Sequence, residues 1–306
     1  MSSLFAFPGQ GAQRPDMLDE LPECAAPLLA EASEILGEDV RALDSVSALQ
    51  STRAVQLCLL IAGVAAARSL MDRGARPDYV AGLSIGAYGA AVAADALAFA
   101  DALRLVSLRG ELMQQAWPQG YGMTAIIGLE LAQVEALLAG AEGPVYLANI
   151  NAANQLVIAG SEAAMAEVGR HARAVGAGAV KRLAVSVPSH CELLAGPAAE
   201  LAEAFARVEL RHPQVRYLSS SSARPVLAPQ ALRDDLAFNM CRVVDWQGTL
   251  QNAYERGVRL HVEMPPGAVL SGLARRVMEQ GTAVAWQGAR LDTLDALLRE
   301  EGSADQ

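Results

Sequence analysis

The segment Gly82-Leu83-Ser84-Ile85-Gly86 constrains the fold more than any other part of this sequence. It lies between a short apolar run at residues 79–82, typical of a buried strand, and an alanine-rich helical pattern at residues 87–99. A serine on a tight strand-to-helix turn needs glycines two positions before and after it, because side chains there would clash. A nucleophilic serine and a plain structural turn are both compatible with the pattern, and either one indicates an α/β fold.

The order of the predicted elements divides the chain into two kinds of region. Strands at 4–7, 79–82, 215–219 and 260–263 alternate with helices at 24–36, 48–73, 101–116, 246–256 and 269–280. This alternation predicts an α/β-hydrolase-like large domain with a parallel sheet core, over residues 1–120 and 188–306.

The middle of the chain differs. Its predicted elements are strands at 123–128, 145–151, 155–159 and 181–187, with helices at 131–139 and 163–175. The order β-α-β-β-α-β predicts an inserted ferredoxin-like small subdomain at residues 121–187.

Composition limits the partners. The 306 residues carry a formal net charge of −10, which argues against nucleic acid or an anionic membrane as a main partner. The four cysteines form no CxxC pair and no zinc-type spacing with histidine, so we expect free thiols and no metal.

The most apolar stretch, residues 57–67, is too short to span a bilayer, and no signal-peptide pattern precedes Pro8. A cytoplasmic protein is therefore expected.

A nucleophilic serine needs a base, and histidine is the first candidate. His171 lies on a polar helix face, His212 precedes a proline in a basic loop, and His261 lies in an apolar strand as a satisfied core histidine would. His190 follows a predicted strand and a proline turn, where catalytic groups often gather, and the pattern favours it slightly.

Cys191 and Arg109 are ambiguous from the residues alone. Cys191 is adjacent to a histidine, but neighbouring side chains usually point apart, so a structural cysteine is expected. Arg109 lies on a predicted helix, where most arginines are solvated. In an acyl pocket its guanidinium could instead hold a substrate carboxylate in a bidentate pair.

Several separated segments together resemble the malonyl-CoA:acyl carrier protein transacylases, in order along the chain from residue 4 to about residue 275. They are Phe7-Pro8-Gly9-Gln10-Gly11-Ala12-Gln13, the Gly82–Gly86 segment, Leu108-Arg109-Gly110-Glu111-Leu112-Met113, the stretch from Asn149-Ile150-Asn151 to Gly160, Val187-Pro188-Ser189-His190-Cys191, and Pro266-Gly267-Ala268-Val269-Leu270.

The resemblance implies a role for each site residue. Ser84 is the expected nucleophile and His190 its base, with the backbone N–H groups of Gln10 and Ile85 as the oxyanion hole. Arg109 is expected to pair with the malonyl carboxylate, and Asn151 and Gln10 to bind substrate. In this family a backbone carbonyl orients the histidine. We expect that carbonyl within residues 244–246, where Asp245 replaces the usual glutamine and could also reach His190 with its side chain.

Two residues of the elbow depart from the fatty-acid-synthesis members, which typically have histidine at the position of Leu83 and glutamate at that of Ala87. Here the segment looks more like the transacylase (epsilon) subunit of bacterial malonate decarboxylase. That resemblance implies malonyl-CoA as donor, no permanently bound cofactor, and a small acyl carrier protein subunit as acceptor. The carrier would bear a phosphoribosyl-dephospho-CoA thiol, and other decarboxylase subunits would be further partners.

Three alternatives remain open from the sequence. One is loading of the 4′-phosphopantetheine carrier of fatty acid or polyketide synthesis. The second is a serine esterase or thioesterase, although that fold orders its triad Ser, acid, His, whereas His190 precedes Asp245. The third is a scaffold subunit without activity.

Overall fold

A computed structural model describes residues 2–117 and 119–303 of the chain. The strands in these ranges are β1 (Ser2–Phe7), β2 (Tyr79–Gly82), β3 (Tyr121–Ile127), β4 (Val145–Ala152), β5 (Gln155–Ser161), β6 (Ala179–Arg182), β7 (Arg216–Ser219), β8 (Arg224–Val226), β9 (Val244–Asp245), β10 (Val258–Glu263) and β11 (Thr282–Ala285). The α-helices are α1 (Ala26–Leu36), α2 (Thr52–Asp72), α3 (Gly86–Ala93), α4 (Phe99–Ala116), α5 (Leu131–Ala139), α6 (Glu162–Ala174), α7 (Ala195–Phe205), α8 (Pro229–Phe238), α9 (Trp246–Glu255), α10 (Val269–Val277) and α11 (Leu291–Ser303).

The larger sheet has the order β11-β10-β1-β2-β7-β8. All of its neighbours are parallel except β8, which runs antiparallel to β7. β1 and β2 lie in register, with Phe7 opposite Gly82, so the chain leaves both strands at the same edge. The loop after β1 and the turn after β2 therefore meet there, at the carboxyl end of a parallel sheet where ligands usually bind. The predicted α/β class with a parallel core is confirmed.

Helix α2 is the central helix of the large core. It is apolar on nearly every face, and 17 of its positions from Thr52 to Leu70 are buried. The expectation that this region is too short to span a bilayer is wrong in length, because α2 has 21 residues and is long and apolar enough to cross a membrane. However, 89% of its most apolar window is buried inside the protein, as in a core helix.

The smaller sheet has the order β6-β3-β5-β4-β9. The four strands β3, β4, β5 and β6 pair with their neighbours in antiparallel fashion. Helices α5 and α6 pack on these strands through an apolar cluster that includes Ile126, Val134 and Val168. This order and the sequence β-α-β-β-α-β are those of a ferredoxin-like unit, as predicted. The division of the chain at residues 120 and 188 stays a prediction. β9 adds to this sheet from a distant part of the chain, parallel to β4.

Two predicted elements differ in extent. The helix expected at 87–99 stops at Ala93, because Asp95 adopts a left-handed φ of 54° and the next helix begins at Phe99. The strand expected at 181–187 ends at Arg182, since β3 pairs with β6 only up to the Thr124–Arg182 pair.

Candidate active site

Ser84 occupies a sharp turn between β2 and α3. Its φ of 57° is left-handed, a strained value for a residue with a side chain. A Cβ on Gly82 would lie 2.0 Å from the Gly86 carbonyl carbon, and one on Gly86 would lie 2.1 Å from the Phe7 oxygen. Both glycines are therefore required, and the turn has the geometry of a nucleophile elbow.

His190 faces Ser84 across the site. Its Nε2 lies 2.9 Å from Ser84 Oγ, and the residue is only 3% exposed. The backbone of His190 is also left-handed, with φ 66°, and its N–H donates to the Met240 carbonyl at 2.7 Å. The structure thus brings together the predicted nucleophile and the predicted base.

Two backbone carbonyls orient the imidazole. Nδ1 lies 2.8 Å from the oxygen of Asn239 and 3.2 Å from that of Arg242. Because a carbonyl can only accept, Nδ1 carries the proton and Nε2 is free to accept from the serine hydroxyl.

The expectation that residues 244–246 orient His190 is wrong. The carboxylate of Asp245 accepts from the Gly248 N–H at 2.8 Å and caps the first turn of α9. The carboxylate stays there because a helix N-terminus favours a carboxylate. The carbonyls that orient His190 belong instead to residues 3 and 6 positions before Asp245.

The electrostatics of the site keep His190 neutral. Burial, and then the charge of Arg109, lower the pKa of His190 to about 4. An imidazole with this pKa is unprotonated at neutral pH and can take a proton from Ser84.

Arg109 is buried beneath Ser84 and is not solvated. It is 0% exposed, with Nη2 3.3 Å from Ser84 Oγ and 3.1 Å from Asn239 Oδ1, and Nη1 2.7 Å from Gln56 Oε1. In the described part of the chain its acceptors are all neutral, and its Nε has none. Burial lowers the pKa of Arg109 to about 10, so the group stays charged at neutral pH. A buried cation without a carboxylate partner is costly unless a ligand supplies one.

Asn239 and Gln56 were not recognised from the sequence. Asn239 contacts all three central residues: its carbonyl accepts from His190, its Oδ1 accepts from Arg109, and its Nδ2 donates to the Ser84 carbonyl at 3.3 Å. Gln56 joins Arg109 to the loop after β1, since its Nε2 donates to Gln10 Oε1 at 3.1 Å. The available signal for Gln56 was a glutamine among the apolar residues of the second turn of α2, because buried polar side chains need partners.

A cavity of about 250 Å³ opens above Ser84, between the two sheets. The large sheet contributes the loop from Pro8 to Ala12, and the small sheet contributes Asn149 and Asn151. Asn149 Oδ1 and Asn151 Oδ1 are buried without a partner among the described residues, as acceptors awaiting a ligand would be. Within the described part of the chain, the backbone N–H groups of Gln10 and Ile85 also have no acceptor.

The remaining candidates lie away from this cavity. His171 is exposed on α6, and His212 contacts the Leu227 carbonyl in a loop. His261 is buried in β10, but neither ring nitrogen has a partner in the described chain, so the expectation of a satisfied core histidine is wrong. Cys191 Sγ donates to the Pro188 carbonyl, and burial raises the pKa of its thiol to about 11, which fits a structural cysteine.

Comparison with known proteins defines the class. Residues 4–300 match the acyl transferase domain family, and the chain belongs to that family. It is 38% identical over 292 residues to the malonyl CoA-acyl carrier protein transacylase of Escherichia coli (strain K12), covering 92% of this chain and 94% of that protein.

Two solved structures agree with this result. The malonyl CoA-acyl carrier protein transacylase of Coxiella burnetii superposes with a TM-score of 0.92 at 35% identity, over 98% of each chain. A malonyl-transacylase in complex with a type II PKS acyl-carrier protein gives 0.92 at 36% identity, over 98% of this chain and 100% of that one. The predicted enzyme class, a malonyl-CoA:acyl carrier protein transacylase, is confirmed by these relatives.

Proposed function

We propose that this enzyme moves a malonyl group from malonyl-CoA to the thiol of an acyl carrier protein through an ester on Ser84. The observation that carries the proposal is the charge of Arg109, buried without a carboxylate partner in the described chain and 3.3 Å from the Ser84 hydroxyl. An acyl group on Ser84 with its own carboxylate supplies that partner.

In the first half-reaction Ser84 Oγ attacks the thioester carbonyl while His190 Nε2 takes its proton. The N–H groups of Gln10 and Ile85, which have no acceptor in the described chain, are proposed to donate to the oxyanion and stabilise it without reorganisation. When the tetrahedral intermediate collapses, the C–S bond breaks and His190 returns the proton to the CoA thiolate. The malonyl group is then held as an ester on Ser84.

In the second half-reaction the carrier thiol gives its proton to His190 and attacks the ester carbonyl. Collapse breaks the bond to Ser84 Oγ, which recovers the proton from His190. One neutral histidine thus serves as base and acid in turn, which fits the carbonyl-oriented imidazole of this site. The kinetics are therefore ping-pong.

Arg109 selects the acyl group. Its guanidinium would hold the malonyl carboxylate in a bidentate pair, whereas an acetyl group leaves the buried charge without a partner. Asn151 and Gln10, both lining the cavity, are proposed to bind the donor.

For the acceptor we favour the 4′-phosphopantetheine carrier of fatty acid or polyketide synthesis. The match of this chain to a malonyl-transacylase solved with its acyl-carrier protein supports it. Malonate decarboxylation, with a phosphoribosyl-dephospho-CoA carrier, is the second candidate. Leu83 and Ala87 at the elbow favour it, because the fatty-acid-synthesis members typically have histidine and glutamate at these positions; Leu83 also lines the cavity. Purified carriers of both kinds, offered with malonyl-CoA, separate the two: exclusive loading of either one rejects the other.

A cytoplasmic location is proposed with this function. The four cysteines are free thiols, which suits a reducing compartment.

Mass spectrometry tests the proposed nucleophile. Incubation with malonyl-CoA should add about 86 Da to the wild type, one malonyl group replacing a hydrogen, and nothing to Ser84→Ala. An unmodified wild type would refute the assignment and favour a scaffold. Release of free malonate as fast as the carrier is loaded would instead indicate a hydrolase.

A further inference from the structure

Arg182 ends β6 with its guanidinium turned onto the backbone. Nη1 lies 2.8 Å from the carbonyl oxygen of Met123, 3.1 Å from that of Leu183 and 3.0 Å from that of Val185. Nη2 lies 2.8 Å from the carbonyl oxygen of Tyr121. One side chain thus joins four carbonyls from two segments, β3 and residues 183–185.

Three of these four carbonyls belong to residues that line the active-site cavity. Met123, Leu183 and Val185 all line the space above Ser84. The segment also runs on to His190. We call Met123, Leu183 and Val185 the subdomain wall.

Few other bonds hold residues 183–187. The Leu183 N–H donates to the Met123 carbonyl at 3.0 Å. Within the described chain, the N–H groups of residues 184–187 donate to no backbone or side-chain acceptor. Arg182 is therefore the main polar contact that fixes Leu183 and Val185, the two wall residues outside β3, to that strand.

Gly122 provides the space for this arrangement. A Cβ at Gly122 would lie 2.0 Å from Arg182 Nη2 and 2.3 Å from Nη1, so the guanidinium lies directly on the glycine backbone. Gly122 and Arg182 are on different strands, and the fit between them is a second observation that this placement is built into the subdomain.

We propose that Arg182 is a positioning residue for the transfer reaction, which holds the subdomain wall at a fixed distance from Ser84. The inference rests on the proposed malonyl transfer. With the wall fixed, the pantetheine arm of the donor binds a preformed slot, and water is kept from the malonyl ester. Arg182 acts through the backbone of the wall and needs no contact with the substrate.

The test compares Arg182→Met with Arg173→Met. Arg173 is the matched control, because its Nη2 donates to one carbonyl of the same sheet, that of Val180, away from the cavity. Each variant is assayed with malonyl-CoA and with the malonyl thioester of N-acetylcysteamine, which has no phosphates. The malonyl-enzyme is also isolated, and its hydrolysis is followed by mass spectrometry.

For Arg182→Met we expect KM to rise about tenfold for both donors while kcat changes by less than about threefold, since binding is lost more than chemistry. Hydrolysis of the malonyl-enzyme should rise several-fold, and Arg173→Met should match the wild type. A loss confined to malonyl-CoA and abolished by salt would overturn the proposal, because Arg182 would then bind phosphate. Unchanged kinetics for both donors would overturn it equally.

Gly122→Ala gives an independent check that keeps the arginine. It should displace the guanidinium and reproduce the rise in KM and in hydrolysis; wild-type KM values in a folded Gly122→Ala would contradict the proposal. Failure of the proposed function is separately visible, since the wild type would then form no malonyl adduct.

Discussion

Removal of the buried charge of Arg109 is the sharpest test of how the acyl group is chosen. Arg109→Met keeps an apolar stem of similar length and deletes the guanidinium that lies 3.3 Å from Ser84 Oγ. Malonyl and acetyl donors differ only in the carboxylate that this guanidinium is proposed to hold. The two donors should therefore respond very differently to one substitution.

The size of the difference follows from the contacts. A hydrogen bond between two charged groups contributes about 1.5–3 kcal/mol, and a bidentate pair in this buried site supplies two of them. A loss of about 3–5 kcal/mol lowers kcat/KM for malonyl-CoA by about 10²- to 10⁴-fold. For acetyl-CoA, which makes no such bond, the change should stay within about tenfold.

A second readout comes from the proton balance of His190. The charge of Arg109 is one cause that lowers the pKa of His190 to about 4, after burial. Since a nearby cation disfavours imidazolium, its removal raises this pKa. The acid limb of acetyl transfer should accordingly move to higher pH in Arg109→Met.

The assay measures kcat/KM for both donors across pH 4–8 in the wild type, in Arg109→Met and in Arg104→Met. Arg104 lies on the same helix but is exposed and paired with Asp101, so its removal should change neither donor. Equal losses for malonyl-CoA and acetyl-CoA would refute the carboxylate role of Arg109.

Three other substitutions test the frame of the site. Gly86→Ala places a Cβ 2.1 Å from the Phe7 oxygen and should lower both melting temperature and activity. The control Gly272→Ala lies in α10 with open space around it, so it should keep activity and raise the melting temperature slightly, because alanine is the better helix former. A Gly86→Ala melting curve equal to that of the wild type would contradict the steric argument. Asp245→Ala removes a helix cap and should cost about 1 kcal/mol of unfolding free energy with activity kept, so a large loss of kcat would show a direct role in catalysis. His261→Leu removes an imidazole whose pKa is lowered by burial to about 4, from a value of about 6.5 in the unfolded chain. Between these two pH values the unfolded chain binds more protons than the native protein, so the free energy of unfolding falls as the pH drops. The variant should therefore show a smaller fall in urea midpoint than the wild type between pH 8 and pH 5. An unchanged fall would argue against a neutral His261 in the native state.

The parts of the site that depend on local geometry could be predicted from sequence. The glycines around Ser84 follow from the steric demands of one turn, and the strand before it follows from a short apolar run. The proximity of Ser84 and His190, 106 residues apart, came from the resemblance of several segments to one family.

The parts that depend on distant contacts could not. The end of α3 at Ala93 has a local cause, the left-handed φ of Asp95, but the alanine-rich sequence around it does not show where that turn falls. The turn is also held from a distance, because the Ala94 carbonyl accepts from the Gln214 N–H and the Ala96 carbonyl from the Arg211 N–H, and these partners lie more than 100 residues away.

The orienting carbonyls were missed for a related reason. A backbone carbonyl has no residue signature, so only the path of the chain shows that Asn239 and Arg242 supply them. The apolar alternation at residues 183–187 resembles a strand, but the guanidinium of Arg182 takes the place of strand pairing there.

The short strand β9 has a mechanical consequence. The carbonyl of Arg242 contacts His190. Two residues further along the chain, Val244 joins the small sheet by pairing with Asn149 on β4. The small sheet is thus tethered to the backbone that aims the imidazole, and the tether is only two residues long. We therefore expect that a rotation of the small sheet relative to the large one would pull on this tether, so that the orientation of the His190 imidazole and the width of the cavity would change together.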